Sequence, residues 1–191
     1  MFQSWSKKEV GKFILCFVCY FVLIIAIEIP GFASPLYWAI VPIFTAFVAA
    51  GPATCVLSMK RGFGSAAILP LLWLIVMRLL GELSMPLMWV GAIVLIVLAE
   101  VIHMAFGCTK LRGIRISAVI AALVPSVTIW PLYFQQARFV ELAAEEMGAD
   151  YAAGLAHYGK PALFVVMTVV SIIAALLSER ISEKIAKVEA E

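Results

Sequence analysis

Long apolar runs, separated by short charged loops, occupy most of this 191-residue chain. Hydrophobic residues make up 64% of the sequence and charged residues 14%, whereas soluble domains have about 45–50% and about 25%. Because a helix that spans a bilayer needs roughly 20 predominantly apolar residues, six such helices fit into this length. No room then remains for a soluble catalytic domain. The sequence therefore predicts an all-α membrane protein with a single integral membrane domain, residues 1–191.

The apolar runs and the breaks between them place six transmembrane helices along the chain. The first run is longer than the apolar part of a signal peptide, and no A-x-A cleavage site follows it, so we expect a retained span. The second span contains Pro42 and Pro52, and it is predicted to be kinked or broken and to pack inward. The predicted spans cover residues 11–29, 36–57, 65–80, 87–106, 116–134 and 161–177.

Positive charges are concentrated in alternate loops, and this pattern predicts the orientation. Cytoplasmic loops of membrane proteins carry an excess of Lys and Arg. The loops of the opposite side hold only Arg78, Arg138 and Lys160. Both termini are therefore predicted to be cytoplasmic. The cations assigned to that side are Lys7, Lys8, Lys12, Lys60, Arg61, Lys110, Arg112, Arg115, Arg180, Lys184 and Lys187.

One long polar segment, residues 135–160, separates spans five and six and is predicted to be external. Its apolar residues recur every three or four positions, as on one face of a helix. Gly148 and Gly154 interrupt the pattern, so two short helices fit as well as one. An interfacial connector and a lid over an externally open site are both compatible with this amphipathic segment. The residues of the apolar face are Phe139, Ala143, Met147, Tyr151, Leu155 and Tyr158.

The four cysteines fall at or near the predicted cytoplasmic ends of their spans: Cys16, Cys19, Cys55 and Cys108. Thiols stay reduced on that side, so we expect no disulfide. The C-F-V-C motif, with His103 at a similar depth, contains types of residue that bind metals. Buried free cysteines in helix interfaces are far commoner, and no metal site is predicted.

Few residues in the sequence could support an enzyme. A nucleophile and its base must lie within hydrogen-bond reach, but His103 and His157 are predicted at opposite ends of the spans, about 30 Å apart. The sole aspartate, Asp150, lies outside the membrane. No P-loop motif occurs, so we expect no bound cofactor in this chain, and energy from ATP would have to come from a partner. Nucleic-acid binding also lacks support, since the basic runs are short.

Charged residues within or beside spans are costly and often functional. Arg78 and Glu82 are four residues apart and can pair on one helix face. They form either an interfacial ion pair or part of an external pocket, and an interfacial aromatic belt would also explain the neighbouring aromatic residues. The candidate substrate-binding residues are Glu28, Tyr37, Trp38, Trp73, Arg78, Glu82, Trp130, Tyr133, Arg138 and Tyr151. Glu100, on one face with His103 at the inner end of span four, is expected to make an internal polar contact to the basic loop.

Three stretches of the chain resemble the substrate-binding (S) components of energy-coupling factor (ECF) importers, in particular their Trep/Strep (MptD-like) group. They are residues 42–64 (PIFTAFVAAGPATCVLSMKRGFG), 98–107 (LAEVIHMAFG) and 147–155 (MGADYAAGL). In S components a motif of small residues on span one docks to the transmembrane T component. No A-x-x-x-A occurs in span one here, and Cys16 and Cys19 are its smallest residues near the inner end. Together with Glu100, they are the candidate docking residues.

The resemblance implies a six-helix protein of the bacterial cytoplasmic membrane that binds a small molecule on the external side. Its expected partners are a T component and two ABC-type ATPases, which bind the ATP and Mg²⁺. Loops after spans one, three and five would gate the site. The expected ligand is a vitamin, a cofactor precursor, a nucleobase derivative or a tetrapyrrole, and the acidic external face favours a cationic or metal-bearing one.

Two other functions are alternatives to substrate capture. A stand-alone channel or secondary carrier would need polar residues through the midplane or symmetry between two halves of the chain. Neither pattern is visible in the sequence. An intramembrane enzyme is the second alternative, and the placement of the histidines disfavours it.

Overall fold

The computed structural model describes residues 6–59 and 62–186, and over these ranges the chain is helical apart from short connections. No strand is found within them, so the predicted all-α class is confirmed. The helices are α1 (Lys7–Glu28), α2 (Pro35–Met59), α3 (Ile68–Leu79), α4 (Pro86–Ala105), α5 (Leu111–Ala122), α6 (Trp130–Phe134), α7 (Gln136–Met147), α8 (Ala149–Tyr158) and α9 (Pro161–Ala186). Two 3₁₀ segments, Ile29–Ala33 and Val124–Ile129, complete the described structure.

Five helical stretches of the described chain are long and apolar enough to cross a membrane. They are Lys7–Ala33, Pro35–Met59, Pro86–Ala105, Leu111–Phe134 and Pro161–Lys184. The remaining predicted span, 65–80, contains α3, which has only 12 residues where roughly 20 are needed. Turns replace the helix over the first residues of that predicted span. The protein is therefore a multi-pass membrane protein with one short apolar helix among the long ones.

Helix α2 lies at the centre of the bundle and packs against α1, α5, α8 and α9. It is one continuous helix through Pro42 and Pro52, so it does not break at either proline, and the expectation that it packs inward is met. Small buried residues allow this close packing. Those that are fully enclosed include Ala39, Ala46, Ala49, Ala50 and Thr54.

The predicted fifth span is divided into α5, the 3₁₀ segment Val124–Ile129 and α6. Pro125 and Pro131 each stand at the start of one of the two later pieces. Side chains satisfy part of the freed backbone: Ser126 Oγ donates to the Leu123 carbonyl (2.6 Å) and Thr128 Oγ1 to the Pro125 carbonyl (3.0 Å). Irregular backbone is tolerated at membrane depth only where protein surrounds it, and every residue of this segment is buried.

The two ends of the bundle differ in chemistry. At one end, which we call the basic end, α1 begins, α4 is followed by α5, and α9 ends with its charged residues. Arg115 pairs there with Glu183 at 2.6 Å and lies 3.6 Å from Glu179. We call the opposite end the lid end, because α7 and α8 cover it. Of the cations predicted to be cytoplasmic, Lys60, Arg61 and Lys187 fall outside the described residues.

The outward faces of α1, α4 and α9 carry large exposed aliphatic side chains, such as Leu15, Val97 and Val169. Apolar faces of this extent on three long helices fit contact with the hydrocarbon of a bilayer. Charged side chains of the described chain gather at the two ends. The bundle thus has the surface of an integral membrane protein.

The orientation can be tested by labelling single cysteines in intact cells. We expect a membrane-impermeant maleimide to label Glu145→Cys in α7, placed in a background without the native cysteines, from outside. A variant that retains only Cys108, at the basic end, serves as the control. It should react only after the cells are permeabilised. The reverse labelling pattern would contradict the predicted orientation.

Candidate functional site

A cavity of about 530 Å³ lies at the lid end, beneath α7 and α8. Its walls come from the end of α1 and the 3₁₀ segment that follows it, from the loop between α3 and α4, and from both lid helices. The volume falls within the range of about 300–1,000 Å³ that is typical of small-molecule sites. The segment after α1, the loop between α3 and α4, and the lid helices are distant in sequence but meet around one cavity.

The roof of the cavity is the predicted external segment, which folds as two short helices rather than one. Gly148 separates α7 from α8 with a φ of +94°, in the left-handed region that favours glycine. Of the predicted apolar face, all residues except Tyr158 line the cavity. The amphipathic pattern therefore marks the inner surface of a lid, because its apolar side covers a space instead of lying flat on a membrane.

Two hydrogen bonds hold the lid helices in place. The Tyr151 hydroxyl donates to the Gly31 carbonyl at 2.6 Å and thereby links α8 to the connection between α1 and α2. Burial raises the pKa of Tyr151 to about 12, so the hydroxyl keeps its proton at neutral pH. Gln136 Nε2 donates to the Ala156 carbonyl at 2.7 Å and joins the start of α7 to the end of α8. A Cβ at Gly31 would clash with Trp38, so this close packing requires glycine there.

Glu28 is the deepest charged group of the site. It is the last residue of α1, its side chain lines the cavity, and only 6% of the residue is exposed. Within the described part of the chain, its Oε1 has no hydrogen-bond partner. Burying an ionised or polar group without a partner is costly. The fold therefore tolerates an unfavourable group at the wall of the cavity under the lid.

Two further carboxylates, Glu82 and Glu146, line the cavity nearer its mouth. Glu82 lies in the loop between α3 and α4, and Glu146 lies on α7. Burial raises the pKa of Glu82, and the negative charge of Glu146 raises it further. Among the described residues, no Lys, Arg or His lines this cavity. Every charged side chain at its surface is therefore acidic.

The structure brings four of the predicted substrate-binding residues together around the cavity. They are Glu28, Trp38, Glu82 and Tyr151. The aromatic wall also contains Phe32 and Phe139, which sequence reasoning missed as site residues. The ring centroids of Phe32 and Trp38 are 5.5 Å apart. Phe32 lies in the short 3₁₀ segment Ile29–Ala33, where no periodicity marks it.

Glu146 was missed as well, although a signal for it was present. Phe139, Leu142, Ala143 and Glu146 follow one another at i, i+3, i+4 and i+7, and all four line the cavity. That spacing places Glu146 on the apolar face of α7. A carboxylate on the otherwise apolar face of α7 could therefore have identified Glu146 as a site residue from the sequence.

The other predicted site residues lie elsewhere. Tyr37 stacks on Phe44 with centroids 5.7 Å apart, and Trp73 is fully buried in the bundle core. The guanidinium carbon of Arg78 lies 5.9 Å from the ring centroid of Trp89. Within residues 62–186, Arg78 forms no ion pair with Glu82.

The remaining three predicted substrate-binding residues lie at two other places, a second cavity and the exposed side of the lid. Trp130 and Tyr133 line a second, smaller cavity of about 240 Å³ between α2, α4, α6 and α9. Arg138 forms an ion pair with Glu141 at 2.6 Å, and both side chains are 59% exposed on the lid. This pairing raises the pKa of Arg138.

The predicted docking residues also have partners inside the bundle. Cys16 is buried and faces Cys55 on α2, while Cys19 is half-buried. Glu100 accepts hydrogen bonds from the backbone N–H of Gly64 (2.7 Å) and of Ala66 (3.2 Å). The carboxylate thus fixes the turn that precedes α3, a contact to the loop after span two.

Comparison with known proteins places this chain among membrane proteins. A family model described as "Hypothetical bacterial integral membrane protein (Trep_Strep)" matches residues 8–188. No curated protein and no solved structure matches the chain. The matched range contains all the residues that line the cavity and both lid helices.

Tyr151→Phe should loosen the lid while leaving the bundle intact. The variant loses one hydrogen bond, which contributes about 0.5–1.5 kcal/mol, so amide exchange in α8 should accelerate by about 2- to 10-fold. Hydrogen exchange measured by mass spectrometry on the purified protein would show this. Tyr158→Phe, on the same helix and outside the cavity, is the control. Equal acceleration in both variants would contradict the role of the Tyr151 hydroxyl.

Glu28→Gln should not destabilise the ligand-free protein. Because Glu28 Oε1 has no partner, its replacement should leave the free energy of unfolding unchanged or raise it by up to about 2 kcal/mol. Glu100→Gln is the matched control, since that buried carboxylate accepts two backbone hydrogen bonds. Its replacement should lower stability by about 1–2 kcal/mol. Denaturation in detergent would measure both, and a similar loss for Glu28→Gln would reveal a stabilising partner.

Proposed function

We propose that this chain, which belongs to the Trep_Strep family of hypothetical bacterial integral membrane proteins, is the substrate-capture subunit of an ATP-driven ECF-type importer. The observation that carries the proposal is the cavity of about 530 Å³ under a two-helix lid. A capture subunit needs a site that opens on one side of the membrane and can close over its ligand. The lid helices, the Tyr151 hydrogen bond and the cavity volume support such a site.

The proposed topology has six spans, with both termini in the cytoplasm and the lid outside. In it, α3 and the turn before it form a short third span, held in place by Glu100. The distribution of Lys and Arg supports this orientation. The lid and the cavity then face the medium from which a nutrient is taken.

The packing below the cavity supports capture over passive conduction. Ile24 and Trp73, located further from the lid than the cavity walls, are completely buried in the core. A channel or carrier would need polar groups to continue towards the basic end. At this level the core instead contains the apolar and aromatic side chains of Ile24 and Trp73.

The ligand we propose is a small molecule such as a vitamin, a cofactor precursor or a nucleobase derivative. Four aromatic side chains along the cavity suit a planar ring system. A tetrapyrrole, with its larger planar ring system, belongs to the same proposed set. This chain would bind the ligand alone, while partner subunits bind ATP and Mg²⁺.

The proposed partners are a transmembrane T component and two ABC-type ATPases. Helix α1 lies at the edge of the bundle and packs mainly against α2, so its outer face is available for a lateral contact. Cys16 faces inward, and the exposed aliphatic residues Ile14, Leu15 and Val18 offer a more accessible surface on the same helix.

Purification from native membranes in mild detergent tests the function. We expect the T component and both ATPases to co-purify, and native mass spectrometry to detect a retained small molecule. Leu142→Trp, which would fill the cavity from the lid, should lose most of that molecule. Glu141→Trp, on the exposed side of the same helix, should retain it.

The opposite result would contradict the proposal. It would be a protein that purifies alone, retains no small molecule and carries solutes passively in liposomes. Such behaviour would favour the stand-alone channel or carrier.

A further inference from the structure

We infer that the cavity under the lid selects an organic cation, a ligand whose positively charged nitrogen pairs with Glu28 while its ring lies against the aromatic wall. The inference deepens the proposed function and rests on it, because it specifies the chemical class of the captured molecule. Three features of the site support it: the sign of its charges, the unpartnered carboxylate and the aromatic wall.

The charges around the cavity have a single sign. Glu28, Glu82 and Glu146 line it, and no basic side chain of the described chain does. The nearby cations are directed elsewhere, since Arg78 lies against Trp89 and Arg138 is paired with Glu141. An anionic ligand would meet three carboxylates without a counter-charge, whereas a cation would be attracted to them.

A bound cation would provide the carboxylate of Glu28 with the partner that it lacks. Only 6% of the residue is exposed, it lines the cavity, and its Oε1 has no hydrogen-bond partner in the described structure. The equally buried Glu100 shows the contrast, because two backbone N–H groups satisfy it. A buried carboxylate is stabilised when it is paired, and at Glu28 the space for the partner is the cavity itself.

The aromatic wall adds a second attraction for the same kind of ligand. Phe32, Trp38, Phe139 and Tyr151 line the cavity, and the faces of such rings attract cations through their quadrupole. The rings of Phe32 and Trp38 are tilted by 48°, so they present two differently oriented surfaces. This combination of one buried carboxylate with several aromatic rings suits a protonated or quaternary nitrogen attached to a ring.

A metal ion is a poorer fit to the same site. Within the described residues, no group of three or more His, Cys, Asp or Glu side chains is arranged to hold one. Hard divalent cations take about six to eight oxygen ligands at close range. The three carboxylates instead lie around a space of about 530 Å³, which matches a molecule and not a bare ion.

Three bicyclic probes that differ in charge test the inference: 1-methylquinolinium (cation), 1-naphthamide (neutral) and 1-naphthoate (anion). Binding to the full chain in nanodiscs of zwitterionic lipid would be measured by calorimetry, with empty nanodiscs subtracted. We expect the cation to bind more tightly than the neutral probe by about 10-fold or more, because hydrogen bonds and pairs with charged groups are the stronger ones. The anion should bind most weakly.

Matched variants locate the effect at Glu28. Glu28→Gln should weaken binding of the cation by about 10- to 100-fold and leave the neutral probe within about twofold. Glu146→Gln, at the mouth, should weaken the cation by about two- to fivefold, since an exposed charge is screened. Glu145→Gln, the neighbouring residue outside the cavity, should have no effect. Thermal stability of each variant, measured in the same nanodiscs, shows that the fold is retained.

The outcomes distinguish this inference from the proposed function. If the neutral or anionic probe binds as tightly as the cation, or if Glu28→Gln leaves the cation unaffected, the inferred ligand class is wrong while capture by the cavity stands. If no probe binds up to millimolar concentration and native mass spectrometry finds no retained molecule, both are wrong. A retained natural ligand that carries no positive charge would overturn the cation inference alone.

Discussion

Every backbone N–H and C=O group inside a bilayer must find its hydrogen bond within the protein, and this constraint organises the whole molecule. Long helices satisfy it over most of the chain. Where the helix is interrupted, the bundle supplies the missing partners. The 3₁₀ segment Val124–Ile129 is fully buried and uses the hydroxyls of Ser126 and Thr128. The turn before α3 uses the carboxylate of Glu100, which belongs to another helix. At these two interruptions of the described chain, side chains of the segment itself or of another helix therefore complete hydrogen bonds that a regular helix would have made.

The same constraint explains why a site can form at the lid end. There the chain leaves the hydrocarbon layer, so a loop and two short helices can take shapes that a span cannot. Glycines at positions 31 and 148 provide the close approach and the left-handed turn that these shapes require. The lid turns its apolar face towards the cavity and leaves Arg138 and Glu141 exposed on the outer side. The amphipathic lid thus covers the cavity that it forms together with the segment after α1 and the loop between α3 and α4.

The features that follow from local pattern were predictable, and those that depend on distant contacts were not. The long spans follow from apolar runs, and the inner face of the lid follows from the helical spacing of residues such as Phe139 and Ala143. The short length of α3 did not follow from its apolar sequence, because the turn before it is held by Glu100, more than thirty residues away. The sequence predicted both Trp38 and Trp73 as substrate-binding residues. Packing places Trp38 at the cavity and Trp73 in the core. The apolar pattern of the sequence indicates how deep a side chain lies along a span. Only the packing of neighbouring helices decides whether that side chain faces the cavity or the core.

Binding of a cation at Glu28 would also connect ligand occupancy with closure of the lid. Glu28 belongs to α1, whereas Glu146 and Tyr151 belong to the lid. A ligand between these residues would therefore contact α1 and the lid at the same time. The negative charge of Glu146 raises the pKa of Glu82, so these two carboxylates repel each other, while the Tyr151 hydrogen bond joins α8 to the connection between α1 and α2. A ligand shifts such a balance only by the difference between its affinities for the closed and the open state. A positive charge between the carboxylates supplies that difference, because it replaces repulsion by attraction only when the lid is closed over it.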